Sequence, residues 1–233
     1  MVDADRAGSA PHTLLFDLDG TLTDNFEGIA NCIRYALTRM DVPHPSAEAL
    51  RACVGPPLRQ TLPRLIGNSD AATTERALAL YRERYSELGW RENAVYHGVT
   101  DMLATASRGG ARVFLCTTKP QHFAEQIVAH FGLAAFFNGV YGTSLDGRFD
   151  DKADLLAHLL ASESLAGERC LMIGDRMHDI RAARRNGVRS LGVLWGYGSR
   201  EELVEAGAEA LIAAPVEFSR GLADIQAASS WYV

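Results

Sequence analysis

Thr13-Leu14-Leu15-Phe16-Asp17-Leu18-Asp19-Gly20-Thr21-Leu22 is a short apolar run that stops abruptly at two aspartates. A continuous apolar run of this length is the pattern of a strand buried on both faces, as in a parallel sheet. No comparable run follows between residues 25 and 94. There, Phe26, Ile29, Ala30, Ile33, Leu37 and Met40 share one helical face, and Leu78, Tyr81, Tyr85 and Leu88 share another, with Gly89 as its C-terminal stop. Pro43, Pro45, Pro56, Pro57 and Pro63 divide the stretch into several helices. From Val99 onward helical stretches near 99–108, 120–131, 151–161, 177–186 and 199–206 alternate with strand-like runs. The runs are 112–116, 139–141, 170–173, 190–194 and 210–212. Strand–helix alternation with continuous apolar strands predicts a doubly wound α/β sheet. A small all-helical domain is expected as an insert after its first strand, with residues 1–23 and 96–233 forming the core and 24–95 the insert.

Open parallel sheets bind ligands beyond the carboxyl ends of their strands. The first strand ends in Asp17-Leu18-Asp19-Gly20-Thr21, the second in Thr117-Thr118-Lys119 and the fourth in Gly174-Asp175. Each aspartate alone could be a helix cap or turn former. Together they predict a site where Asp17, Asp19 and Asp175 converge with two hydroxyls and a lysine. Neighbouring carboxylates repel, so either a cation neutralises them or some carry protons. Oxygen donors without His or Cys favour a hard cation, and Mg²⁺ is the expected one. Two carboxylates two residues apart could divide the labour of phosphoryl transfer, one attacking phosphorus and the other moving protons.

Phe16-Asp17-Leu18-Asp19-Gly20-Thr21-Leu22 resembles the first signature of the haloacid dehalogenase superfamily, in particular its phosphoglycolate phosphatase-like phosphatases. The later signatures are matched in order by Thr117, by Lys152 before a helix, and by Gly174-Asp175-Arg176-Met177-His178-Asp179. Gly192-Val193-Leu194-Trp195-Gly196-Tyr197-Gly198 is similar to the segment after the fifth strand of those enzymes, and the likeness runs from Thr13 to Phe218. The resemblance implies a Rossmann-like core and a mobile helical cap hinged near Thr23-Asp24 and Val95–Gly98. It implies Asp17 as nucleophile, Asp19 as acid and base, Thr117 as a donor to the phosphoryl oxygens and Lys152 as the neutralising cation. Mg²⁺ would be held by Asp17, the Asp19 carbonyl and Asp175, with Asp179 a ligand of the metal or, more in keeping with its place, an orienter of its water or of Lys152.

The substrate implied is a small phosphorylated metabolite: phosphoglycolate or a nucleoside 5′-monophosphate, with sugar phosphomutase chemistry a lesser alternative. Three departures bear on that choice. Asn25 stands where many relatives have Ser, Thr118 where Asn is frequent, and the segment Gly147–Ala153 lacks a Lys-Pro-x-Pro pattern. Thr118, Lys119 and, from the insert, Arg59 are candidate substrate contacts. Lys119 reads more readily as a solvated helix-start lysine, and Arg59 and Arg64 are candidates only by location. Gly55-Pro56-Pro57 is a substrate loop or a simple turn, Trp195 and Tyr197 line the site mouth or simply pack, and His178 is expected on the surface.

The composition sets limits. The chain is 47% hydrophobic and 22% charged, which excludes a disordered or disulfide-scaffold class. A net charge of -6 speaks against nucleic acid or anionic membrane as partner. Cys32, Cys53, Cys116 and Cys170 form no metal or redox pair. With no leader apparent in Met1–His12, a cytoplasmic monomer or homodimer is expected. No G-x-G-x-x-G follows the first strand and no P-loop occurs, so dinucleotide-dependent dehydrogenases and P-loop NTPases are excluded. A phospho-acceptor module has no need of the insert, and a dehalogenase none of the metal acids.

Overall fold

The computed structural model describes residues 13–67, 70–144 and 148–229. Met1–His12, where no leader is expected, and Gly147 of the Lys152 segment lie outside the described residues. In chain order the elements are β1 (Thr13–Phe16), β2 (Thr23–Asp24), α1 (Phe26–Arg39), α2 (Ala47–Arg51), α3 (Leu58–Ile66), α4 (Ala71–Glu87), β3 (Ala94–Val95), α5 (Val99–Arg108), β4 (Arg112–Pro120), α6 (Gln121–His130), β5 (Gly139–Thr143), α7 (Lys152–Ser162), β6 (Cys170–Gly174), α8 (Met177–Arg185), β7 (Arg189–Val193), α9 (Arg200–Ala206), β8 (Ala210–Ile212) and α10 (Phe218–Ser229). The chain divides into two compact units, one of them Thr23–Val95 and the other everything before and after it.

The larger unit is a six-stranded sheet in the order β5-β4-β1-β6-β7-β8, every neighbouring pair parallel. β1 lies in the middle because its four residues are buried on both faces. Leu15, Phe114, Cys116 and Met172 meet Leu155, Leu156 and Leu159 of α7 and Ala182 and Ala183 of α8 on one face. Phe16 reaches Phe218 of α10 in the same unit, their ring centroids 5.9 Å apart. The chain winds outward through β4 and β5, then returns past β1 to build β6, β7 and β8. That reversal opens a crevice at the carboxyl ends of β4, β1 and β6. No helix among the described residues is long and apolar enough to cross a membrane.

The smaller unit is helical, closed by the two-residue antiparallel ladder of β2 with β3. Phe26, Ile29, Ala30, Ile33 and Leu37 form the buried stripe of α1, as their spacing predicts. In α4, Leu78, Tyr81 and Tyr85 are buried but Leu88 is 53% exposed, so the apolar stripe ends one turn sooner than expected. Gly89 stands just past Leu88, the C-cap of α4, so the helix stops there as expected, and the glycine has a second role. It opens a 3₁₀ turn, Gly89–Arg91, and is needed for space. A Cβ there would lie 2.4 Å from Cys32 Sγ, and one on Gly28 would lie 2.2 Å from the Gly89 carbonyl oxygen. The backbones of α1 and the α4 exit touch because neither glycine carries a side chain. α10 has no counterpart in the sequence reading, which followed strands and the helices between them.

Gly28→Ala should therefore destabilise the protein by about 1–3 kcal/mol, since the obstructing atom is backbone and cannot rotate away. Chemical denaturation of Gly28→Ala beside Thr38→Ala, an exposed position on the same helix, measures the difference; equal stabilities would show that the contact yields without cost.

Candidate active site

β1 delivers Asp17 to the crevice, where it is 6% exposed and its backbone N–H donates to the Ile173 carbonyl at 2.9 Å. β6 delivers Asp175, fully buried, and the first turn of α8 delivers Asp179, 1% exposed. Ligand oxygens of Asp17, Asp175 and Asp179 all lie within 4.8 Å of one another. Lys152, 6% exposed, stands among them. Its Nζ is 2.8 Å from Asp17 Oδ1 and is also ion-paired with Asp179 Oδ1. Lys152 is the first residue of α7, the end of a helix where a cation is disfavoured by the macrodipole. Asp151 caps that helix, its carboxylate accepting from the Ala153 N–H at 2.7 Å. A lysine at the wrong end of a helix and removed from water is stabilised only by its carboxylate partners, the kind of local conflict that marks a functional position.

Asp175 is enclosed by close backbone approaches. Thr21 Oγ1 donates to Asp175 Oδ1 at 3.1 Å, and the Tyr197 N–H donates to Asp175 Oδ2 at 2.8 Å. A Cβ on Gly20, which has φ +85, would come within 2.3 Å of Asp175 Oδ2, and one on Gly196 would come within 2.4 Å of the same atom. A Cβ on Gly198 would lie 2.0 Å from the Asp175 carbonyl oxygen, and one on Gly174 would lie 2.2 Å from Asp179 Cγ. Trp195 Nε1 donates to the Thr21 carbonyl at 2.9 Å, so the loop after β7 is tied to the loop after β1. Trp195 and Tyr197 thus brace the site; Gly-x-Gly at 196–198 was the signal in the sequence. Glu202, which the sequence reading missed, accepts from Arg176 Nε and from the Met177 N–H, each at 2.8 Å. It fixes the start of α8, and no local pattern advertised it.

Asp19 departs from the expected convergence of carboxylates. It lies past the end of β1 in a turn closed by the Leu22 N–H to the Leu18 carbonyl at 2.8 Å. Its Oδ2 is 2.8 Å from Lys119 Nζ, and its side chain does not belong to the clustered trio. Lys119 is therefore neither a solvated lysine nor exposed: it is 7% exposed and paired. Thr117 is buried and its Oγ1 accepts from the Lys119 N–H at 3.3 Å, while the Thr118 carbonyl accepts from Thr143 Oγ1 at 3.1 Å. Asp179 accepts from the Arg176 N–H at 3.0 Å in addition to holding Lys152. His178, expected on the surface, is half-buried; burial, followed by Arg176 and Lys152, lowers its pKa. Arg59 lies in the helical unit and makes two bonds to Glu75, at 2.9 and 3.1 Å, while Arg64 is exposed.

The electrostatics follow from burial. Asp175 is raised well above the ordinary carboxyl pKa by burial first, then by the neighbouring Asp179 and Asp17. Burial likewise raises Asp179 to about 6, against the lowering effect of Lys152. For Lys152, burial opposes the charge, but Asp17 and Asp179 outweigh it and hold its pKa above the usual lysine range. Three buried carboxylates against one ammonium leave negative charge in excess, and an all-oxygen donor set suits a hard divalent cation. The residues fit such an ion.

The family profile described as haloacid dehalogenase-like hydrolase matches residues 14–193. A 5′-nucleotidase of Pseudomonas aeruginosa is 44% identical over 190 residues, 82% of this chain and 86% of that protein. The tyrosine-protein kinase PtkA of Mycobacterium tuberculosis is 39% identical over 84% of this chain, which spans 66% of that longer protein. A phosphoglycolate phosphatase of Pseudomonas putida is 30% identical, covering 82% of this chain and 72% of its own. The structure of a predicted phosphatase from Clostridium acetobutylicum superposes with a TM-score of 0.88 at 35% identity, covering 93% of this chain and 100% of that one. With the profile spanning both units' connections and the carboxylates gathered at the strand ends, the chain belongs to the haloacid dehalogenase-like hydrolases.

Proposed function

We propose that this protein is a Mg²⁺-dependent phosphatase that hydrolyses a small phosphate monoester through an aspartyl-phosphate on Asp17. The observation that carries the reading is the Lys152 ammonium bonded to Asp17 and Asp179, with Asp175 beside them and Asp19 held apart from the cluster. A phosphoryl group arriving beside Asp17 meets a nucleophile and a fixed cation in a site largely removed from water, where preorganised charges act most strongly.

In the first step an oxygen of Asp17 attacks phosphorus, the bond from phosphorus to the ester oxygen breaks, and Asp19 gives the departing oxygen its proton. In the second, Asp19 takes a proton from water as the water oxygen attacks phosphorus, and the bond to Asp17 breaks to release phosphate. Asp19 ends each cycle as it began. Thr117 Oγ1 accepts from the Lys119 N–H, which leaves its own O–H to donate to a phosphoryl oxygen. Asp17, Asp175 and the Asp19 carbonyl would hold Mg²⁺, which neutralises charge on the phosphoryl oxygens. Asp179 orients Lys152 in this scheme. The helical unit Thr23–Val95 serves as the cap domain, which in the family keeps water from the phosphoenzyme.

The greater similarity to a 5′-nucleotidase than to a phosphoglycolate phosphatase favours nucleoside 5′-monophosphates as the first substrates to test, with phosphoglycolate second. This order reverses the one drawn from the sequence. Cys32, Cys53, Cys116 and Cys170 are buried thiols outside any disulfide, which supports a reducing, cytoplasmic setting.

Phosphate release from a panel of nucleoside 5′-monophosphates, phosphoglycolate and sugar phosphates tests the substrate class; a panel with no release would overturn the phosphatase reading. Turnover should vanish in chelator, return with Mg²⁺, and fall when Ca²⁺ competes, because Ca²⁺ takes carboxylates in a wider, bidentate shell that engages the attacking oxygen. Full turnover in chelator would refute the metal requirement. Asp17→Asn should abolish turnover and leave no phosphoenzyme. Asp19→Asn should lower kcat by about 10²–10⁴-fold and, with 4-nitrophenyl phosphate, accumulate a phosphoryl mass on the peptide carrying Asp17. A label on any other residue would show a different nucleophile.

A further inference from the structure

Lys119 is a buried ammonium that the mechanism above leaves unused. It lies on β4 at the same end of the sheet as the site, and three features of the surrounding backbone hold it there. The pairing of β4 with β5 shifts register between Cys116 and Pro120, an irregularity of the kind that re-aims a side chain beside a site. The Lys119 N–H is taken by Thr117 Oγ1 at 3.3 Å, and the preceding Thr118 carbonyl is taken by Thr143 Oγ1 at 3.1 Å. Gly142 of β5 packs so closely that a Cβ on it would stand 2.6 Å from the Lys119 carbonyl oxygen. The outcome is a 2.8 Å contact between Lys119 Nζ and Asp19 Oδ2, with the two side chains 5% and 14% exposed.

We infer that Lys119 is a positioning residue that acts through Asp19, pinning its carboxylate in one orientation at the edge of the site rather than binding the phosphoryl group itself. The inference rests on the reading of Asp19 as the group that serves the ester oxygen and the attacking water. Asp19 sits past the end of β1, at a single β-bridge that opens a turn, so no regular strand carries its side chain. A proton-transferring carboxylate must lie within hydrogen-bond reach of its target, and a displacement of an ångström is enough to cost a large factor in rate. The Lys119 ammonium supplies the fixed point. The ion pairs divide the site: Lys152 serves Asp17 and Asp179, while Lys119 serves Asp19.

A double-mutant cycle on the full chain, assayed with 4-nitrophenyl phosphate, tests this. Lys119→Met should lower kcat by about 10- to 100-fold, with KM little changed. Lys119→Arg, which keeps a cation facing Asp19, should recover most of the loss. In the Asp19→Asn background, Lys119→Met should change kcat by no more than about twofold, because the group it acts through is already gone. Phosphoenzyme should accumulate in Lys119→Met as in Asp19→Asn.

Multiplying losses in the double variant, or a rise in KM with kcat preserved, would overturn the inference and make Lys119 a direct substrate ligand. An unchanged kcat in Lys119→Met would overturn it in favour of a purely structural pair. Should Lys119→Met fail to fold, Lys119→Gln and the double variant, in which no carboxylate is left buried without a cation, carry the same readings. Retained turnover in Asp17→Asn would instead count against the phosphatase mechanism, so the two failures are distinguishable.

Discussion

The ammonium of Lys152 ties together, by charge, parts of the chain that the apolar core already brings close. It is bonded to Asp17 at the end of β1 and to Asp179 in the first turn of α8, and it is itself the first residue of α7. Each of the three groups would be costly to bury alone. Together they satisfy one another, and the removal of any one would leave a buried charge without its partner. The arrangement constrains the sheet order as well. β1 has to lie between β4 and β6, so that the carboxyl ends of neighbouring strands carry the acids, the hydroxyls of Thr117 and Thr118, and the helix that presents the lysine.

Such density of charge requires the backbone to come close. Gly20, Gly174, Gly196 and Gly198 approach Asp175 and Asp179 within distances that no Cβ could share. Without side chains in those places, the Tyr197 N–H and Thr21 Oγ1 reach the Asp175 carboxylate directly. The buried acid thus acquires donors from two loops, after β1 and after β7, and the Trp195 bond to the Thr21 carbonyl keeps the loops in register. The glycines are as much part of the site as the acids, since they set how near the acids and their donors can stand.

The helical unit is built by a different rule. α1 and the exit of α4 meet backbone to backbone at Gly28 and Gly89, and Arg84 bonds Glu92 through its two terminal guanidinium nitrogens, at 2.7 and 2.8 Å. Its core is ordinary helix packing: Leu62, Ala77 and Leu78, with Met40, Leu58 and Ile66 at the margin. Among its described residues no carboxylate cluster comparable to the trio at the strand ends occurs. Arg59, a candidate substrate contact in this unit, has its guanidinium engaged by Glu75.

Much of this was legible along the chain. The apolar run Thr13–Phe16 broken by Asp17 announced a central parallel strand, and the alternation after Val99 announced the rest of the sheet, because burial on both faces leaves a local signature. Asp17, Asp19, Thr117 and Asp175 could be named from their place at strand ends, and Lys152 from the resemblance of its segment to a family signature. What the chain did not disclose were partners distant in sequence. Nothing near Lys119 tells that it faces Asp19, nothing in Glu202 tells that it holds the start of α8, and Gly89, rightly read as a helix stop, does not announce its close approach to Cys32 and Gly28. Leu88 fits the helical period and is still exposed, because the period specifies a face and not where the neighbouring surface ends. Residue periodicity and local spacing determined the elements and the charged residues at their ends. Which charges pair was decided by the packing of the strands, since ion pairing depends on distances of a few ångströms that only the folded sheet creates.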